Sequence, residues 1–212
     1  MYAPPPFHMR DGEAEALRLA EENPFATLVT VAADSLYVDH VPLLVEHGRD
    51  GLPILVGHFS RKNPHAAALE QAGRTLAVFH GPHGYISPRW YAQYDVPTWN
   101  YAVAHVRGAV QMIKDERALV ALVGRLTSRF EKAVAPGAAL GGPLLPDDLK
   151  GEGQLTAAIV GFELAQLTYD VKMKLNQNRS EADQRGAREG LEATGDGDAR
   201  KLATLMKAVN KV

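Results

Sequence analysis

A hydroxyl, a guanidinium and an ammonium follow one another at Ser60-Arg61-Lys62, inside the stretch Gly57-His58-Phe59-Ser60-Arg61-Lys62-Asn63-Pro64-His65. The apolar run Leu52 to Val56 before it has the composition of a strand, and the Ala-rich run Ala66 to Leu69 after it that of a helix. Such a junction suits a phosphate group, because free N–H groups and the helix dipole favour an anion there. The Arg fork can grip two oxygens, and Lys adds a compact point charge. A lone Ser-Arg-Lys is more often a polar turn with two solvated cations. The rest of the chain shifts that balance.

Other chemistries find less support. The histidines at positions 8, 40, 47, 58, 65, 80, 83 and 105 lack the helical spacing of a metal site. His80 and His83 flank a Gly-Pro turn with no carboxylate nearby, so no metal site is expected. Gly-x-Ser-x-Gly, Gly-x-Gly-x-x-Gly and Gly-x-x-x-x-Gly-Lys are all absent, which removes support for a serine nucleophile, a Rossmann site or a P-loop. Six of the fifteen aromatics fall between Tyr85 and Tyr101, a local enrichment that fits a planar ligand, an oligomer interface or an aromatic corner of the core.

The elements that must hold these groups follow from the pattern. Phe25 to Val31, Leu36 to Val45, Leu52 to Val56 and Thr75 to Phe79 are short and rich in β-branched or aromatic residues. Hairpin-length breaks between the first three argue for antiparallel pairing. A helix capped by Asp11 ends near Asn23-Pro24, and another covers His65 to Gly73. Gly81 onward reads as irregular loop leading into one long strand, Thr98 to Ile113. Asp115 opens a helix with Leu119, Leu122, Val123, Leu126 and Phe130 on one face. Ala135 to Pro146 reads as a Gly/Pro-rich loop, and Ala158 to Leu167 as a strand. Ser180 with Asp183 forms a capping box for a helix to Ala193, and Asp196 or Asp198 caps a last helix carrying Leu202, Leu205, Met206 and Val209. The expected fold is mainly β with inserted helices, in two parts: a barrel-like domain over residues 1–170 with an N-terminal helix, and a helical extension over 171–212.

A length of 212 residues suffices for a sizeable core, and 46% apolar with 23% charged residues is ordinary for a soluble globular chain. A net charge of −2 gives no general attraction to nucleic acid or an acidic membrane, and zero cysteines exclude disulfides and thiolate chemistry. With no secretory segment at the start and no run approaching the roughly twenty apolar residues of a membrane span, the expected location is cytoplasmic. Lys172, Lys174, Arg179, Arg185 and Arg188 form a modest basic cluster, whose ordinary meaning is a solvated helix face and whose sharper one is a DNA surface.

Several blocks together carry a resemblance that runs nearly end to end. They are Pro24-Phe25-Ala26-Thr27-Leu28-Val29-Thr30, Asp39-His40-Val41-Pro42-Leu43-Leu44, the Gly57 to His65 stretch, Gly81-Pro82-His83-Gly84-Tyr85-Ile86-Ser87-Pro88, Val96-Pro97-Thr98-Trp99-Asn100-Tyr101 and Lys174-Leu175-Asn176-Gln177-Asn178-Arg179. In these the chain resembles the PaiB-type FMN-binding negative transcriptional regulators, a branch of the pyridoxamine-phosphate-oxidase-like split β-barrels. The resemblance implies a homodimer of six-stranded split barrels with FMN at the subunit interface. It places the flavin phosphate on Ser60, Arg61 and Lys62. It lays the ring along His40, Val41 and Leu43, with Gly57 and His58 on the other side and Ser87, Trp99 and Asn100 as contacts from the partner subunit. Two positions depart from the family pattern: Asn176 replaces a usual Ser, and Arg89 stands where the Ser-Pro-Ser-Trp-Tyr block has its second Ser.

Two functions share these features. One is a flavin-binding regulator, for which DNA is a possible partner that the slightly acidic chain supports only weakly. The other is a flavin-dependent oxidoreductase acting on a small second ligand, in which His40, His58 and Tyr85 could hydrogen-bond a substrate or relay a proton. No definite catalytic acid or base is assigned.

Overall fold

The computed structural model describes residues 1–7, 12–93, 95–134 and 156–210. Its elements are α1 (Gly12–Glu22), β1 (Phe25–Ala32), β2 (Ser35–Pro42), β3 (Leu44–His47), β4 (Pro53–Ser60), α2 (Pro64–Ala72), β5 (Arg74–Ile86), β6 (Thr98–Ile113), α3 (Glu116–Val134), β7 (Ile159–Lys174), α4 (Glu181–Ala193) and α5 (Gly197–Asn210). The class is α+β, as expected. Asp11, expected to cap α1, and the Gly/Pro-rich loop from Ala135 lie outside the described residues.

The strands form one sheet in the order β2-β1-β5-β6-β7-β4-β3. That makes seven strands, not the expected six, because the run Leu36 to Val45 divides at Leu43. Pro42 has no N–H to give, and the Leu43 N–H donates at 2.9 Å to the carbonyl of Pro24. The two halves then part company. β2 pairs antiparallel with β1 from Phe25↔Pro42 to Ala32↔Ser35, while β3 pairs with β4 from Leu44↔Val56 to His47↔Pro53.

The chain folds into two compact units, and β5, β6 and β7 contribute a segment to each. The first unit holds Met1–Asn23, Val78–Val106 and Tyr169–Val212; the second holds Pro24–Ala77 and Arg107–Thr168. Residues 171–212 therefore share a unit with α1 and with Val78–Val106.

In the second unit, Ala33 and Asp34 turn β1 into β2 with φ of 47° and 61°, the two positive values a type I′ hairpin demands. Alternation then buries Ala26, Leu28, Thr30 and Ala32 and turns Phe25, Thr27, Val29 and Val31 the other way. The expected stripe of α3 buries Leu119, Leu122 and Leu126, the last two joining Leu44, Ile54 and Val56 in one core. Gly161 on β7 lies under this helix: a Cβ there would come within 3.0 Å of both Leu119 and Leu122.

In the first unit, Ser180 caps α4 as its sequence promised, accepting from the Asp183 N–H at 3.2 Å. Asp196 caps α5 through the N–H groups of Asp198 and Ala199, both at 2.9 Å. β5 runs well past Phe79, where a loop was expected. Its burial changes phase on the way, from Thr75, Ala77, Phe79 and Gly81 to Ile86. Pro82 stands inside the strand, at the change of phase. Among the described residues no helix is long and apolar enough to cross a membrane.

Candidate functional site

Strand β4 ends at Ser60, and the chain reverses through a turn closed by the Asn63 N–H donating to the Ser60 carbonyl at 2.9 Å. Arg61 and Lys62 are its two central residues, and Ser60, Arg61 and Lys62 are all exposed. The Ser60 hydroxyl accepts the Lys62 N–H at 3.4 Å, which leaves its own O–H to donate. The Lys62 ammonium is unpaired among the described residues. Arg61 is held differently: its N–H donates to Ala158 O, and its guanidinium donates to the carbonyls of Ala157 at 2.9 Å and Ile159 at 2.7 Å. Nη1 takes no part in these bonds. A cavity of about 230 Å³ adjoins the guanidinium, lined also by Lys114, Glu116, Leu119, Thr156 and Ala157.

The expected free N–H groups of α2 are largely spent. Asn63 caps the helix, its side chain accepting from His65 N–H at 2.9 Å and its carbonyl from Ala66 N–H at 3.0 Å, and Pro64 has no N–H. The attraction for an anion at this corner therefore rests on side chains more than on the helix end.

The other residues of the second unit divide among faces. Val41 and Leu43 are buried. A Cβ on Gly57 would lie 2.6 Å from Leu43 Cδ2 and 3.2 Å from Phe162 Cζ, so this glycine exists to let the core close. These three positions can offer a ligand only backbone, and β2 ends the strand order with one side of its backbone unpaired within the sheet. His40, one residue from Val41, points away from the core; its Nδ1 lies 3.1 Å from Thr27 Oγ1 and its ring packs by Phe25. His58 pairs with Gly161 and alternates with Gly57, so it and Ser60 share the α3 face of β4. Burial holds the His58 imidazolium below its ordinary pKa, so the ring is neutral at pH 7, and its buried Nδ1 has no partner among the described residues.

The three residues expected from a partner subunit lie in the first unit. Ser87 caps a short turn, Pro88–Trp90, by accepting the Arg89 N–H at 3.3 Å. Trp99 is exposed, with Tyr85 edge-on at 6.2 Å and His83 tilted at 6.5 Å. It lines a cavity of about 320 Å³ together with His80, His83 and Tyr101. Asn100 is fully buried, its Nδ2 3.6 Å from Met206 Sδ on α5 and its Oδ1 without a partner among the described residues, so its side chain is closed to a surface ligand in this arrangement.

The tail block Lys174 to Arg179 works on the same unit. Lys174 donates to Thr98, Asn176 donates to Tyr91 Oη at 3.4 Å, and Arg179 pairs with Asp95 and stacks 5.2 Å over Tyr91. Lys172 sits 5.6 Å over the Tyr101 ring, and Arg188 lies 3.9 Å from Glu192. The basic cluster is thus engaged internally apart from Arg185, and no free cationic face forms among the described residues. Asn176 itself has φ 66°, a conformation that Asn adopts more readily than Ser. Asn176→Ser should therefore destabilise by about 1 kcal/mol, lowering Tm by about 2–4 °C in thermal unfolding. Sequence reading missed two site features, His65 behind the turn and the anchoring of Arg61 on carbonyls. The Arg61 anchoring leaves no sequence signal, because backbone acceptors have no residue type; His65 and its partner Asp39 stand in the family blocks, but their distance in sequence hides the pairing.

Among the described residues no group of three or more His, Cys, Asp or Glu could hold a metal ion. Residues 1–165 match the family model described as "Putative FMN-binding domain". The chain is 33% identical over 210 residues to "Protease synthase and sporulation protein PAI 2" of Bacillus subtilis, an alignment covering 98% of this chain and 97% of that one. Among solved structures, the FAD and heme binding protein of Mycobacterium smegmatis superposes with a TM-score of 0.53 at 20% identity, over 76% of this chain and 71% of that one. The flavocytochrome Anf3 of Azotobacter vinelandii does so with a TM-score of 0.51 at 15% identity, over 82% and 73%. At such identities the structures speak to fold alone. The family match and the end-to-end relative show that the chain belongs to the PaiB-type FMN-binding family.

Proposed function

We propose that this chain is an FMN-binding negative regulator of the PaiB type that holds the flavin phosphate at the Ser60–Lys62 turn. The observation that carries the binding half is the unpaired Lys62 ammonium beside a hydroxyl free to donate and a guanidinium with Nη1 to spare. The residues fit the group: a phosphate needs donors and positive charge, and this turn supplies both. When bound, FMN supplies reversible hydride or electron chemistry. Ser60, Arg61 and Lys62 would fix the phosphate, and the backbone of His40 to Leu43 would border the ring.

The regulatory half rests on family membership, and the engaged cations of the tail support action without a DNA-reading face of its own. A homodimer is supported by the outer face of the β1–β2 hairpin. There Phe25, Val31, Leu36 and Val38 lie 50–67% exposed on one side of the sheet, more apolar surface than scattered exposure gives. A flavin-dependent oxidoreductase is the second reading, favoured by the neutral, half-buried His58, which is suited to hydrogen-bond a small substrate.

Purified protein should be yellow and release FMN, not FAD or riboflavin, on denaturation, and should sediment as a dimer. A colourless protein that gains no flavin spectrum from added FMN rejects the binding proposal. Oxidation of reduced nicotinamide over many turnovers by the loaded protein would replace the regulator with the enzyme. Salt-sensitive binding of the loaded protein to DNA would show that it contacts DNA itself.

A further inference from the structure

Behind the turn, α2 begins with a buried histidine. His65 is 1% exposed and lies between the rings of Phe59 at 5.1 Å and Tyr37 at 5.8 Å. Its Nδ1 is 2.8 Å from Asp39 Oδ2 on β2, and its Nε2 is 2.8 Å from Thr30 Oγ1 on β1. Thr30 Oγ1 lies 2.6 Å from Thr75 Oγ1, which donates to the Val29 carbonyl at 2.9 Å. That last bond sets the direction of the whole chain. A hydroxyl has one hydrogen, so Thr75, having given its own to a carbonyl, accepts from Thr30. Thr30 then accepts from His65 Nε2–H. A single proton lies between Nδ1 and Asp39, and their bond is made whichever of the two carries it.

We infer that the Asp39–His65 pair is a strut that positions the Ser60–Asn63 turn for the flavin phosphate, an inference that rests on the FMN reading above. The path is short and continuous. Asp39 holds the His65 ring, the His65 N–H donates to Asn63 Oδ1 at 2.9 Å, and the Asn63 N–H closes the turn on Ser60 O at 2.9 Å. On the other side Arg61 ties the turn to the start of β7. The Lys62 ammonium has no tie of its own, and the residue's backbone N–H has only the long 3.4 Å bond to Ser60 Oγ, so its place relative to Ser60 depends on both anchors. Asp39 also immediately precedes His40 and Val41, so the strut joins the phosphate turn to the strand proposed to border the ring. Both members act through the turn and touch no ligand.

The test is the ratio of FMN to riboflavin affinity in the full chain, since only FMN carries the phosphate. Asp39 is 35% exposed at the side chain and tolerates change better than His65. Asp39→Ala should lower the preference for FMN by about tenfold or more while leaving riboflavin affinity in place. Asp39→Asn can donate its amide to Nδ1 while Nε2–H still serves Thr30, and should keep the wild-type preference. Asp39→Ser, too short to reach Nδ1, should behave as alanine does and replaces it if the alanine variant does not fold. An unchanged preference in the alanine or serine variant overturns the strut. So does an equal loss of both flavins, which would mean general damage. Failure of the wild type to prefer FMN, or of Lys62→Ala to lower that preference, overturns the phosphate reading instead and the strut with it.

Discussion

The double variant Arg61→Ala with Lys62→Ala is expected to bind FMN about 10²- to 10⁴-fold more weakly, because each side chain supplies a charge-assisted bond of roughly 1.5–3 kcal/mol. The two contributions separate by their side effects. Lys62 is exposed and unpaired, so Lys62→Ala should weaken FMN binding and leave Tm within about 1–2 °C of the wild type. Arg61 already spends donors on Ala157 and Ile159 carbonyls. Arg61→Ala should thus lower both flavin affinity and Tm, by loosening the start of β7. Isothermal titration with FMN and with riboflavin, beside thermal unfolding, resolves the pair. An unchanged FMN affinity in the double variant rejects this turn as the phosphate site.

The same contrast marks what the chain discloses in its residues and what it does not. Local chemistry was legible: the strand-to-helix junction, the stripe of α3 and the cap at Ser180 all follow from residue type and spacing, and all lie where expected. Long-range choices were not. The Gly81-Pro82 pair reads as the end of a strand, yet β5 continues to Ile86. Leu43 reads as mid-strand, and only the carbonyl of Pro24 shows why the strand divides there. The candidate site was legible as a motif and less so as a surface. Val41, Leu43 and Gly57 carry the family pattern because they close the core, while His40 and His58 point elsewhere. Proximity in sequence cannot distinguish a residue that touches a ligand from one that shapes the strand beside it.

A comparable hidden constraint sits in α4, where two glycines one turn apart admit Trp90. A Cβ on Gly186 would lie 2.0 Å from the Trp90 carbonyl oxygen, and one on Gly190 would lie 2.2–2.5 Å from three atoms of the indole ring. In a free helix each Gly→Ala change would stabilise by about 1 kcal/mol. Here both should destabilise, by about 2–3 kcal/mol each, since overpacking a fitted contact forces backbone to move. Thermal unfolding should show losses of about 4–12 °C for either variant. The partner atom decides how each loss can be reversed. Trp90→Ala removes the ring and should recover much of the Gly190→Ala loss, measured against Trp90→Ala alone. The same change leaves the carbonyl in place and should recover little of the Gly186→Ala loss, because a main-chain oxygen persists whatever side chain it carries. Displacing α4 also strains the bond from Ala92 N–H to Asp183 Oδ1, 2.9 Å here, which ties the helix to the segment leading to Trp99. If both alanine variants melt at or above the wild-type temperature, the two glycines are not what seats the helix on Trp90.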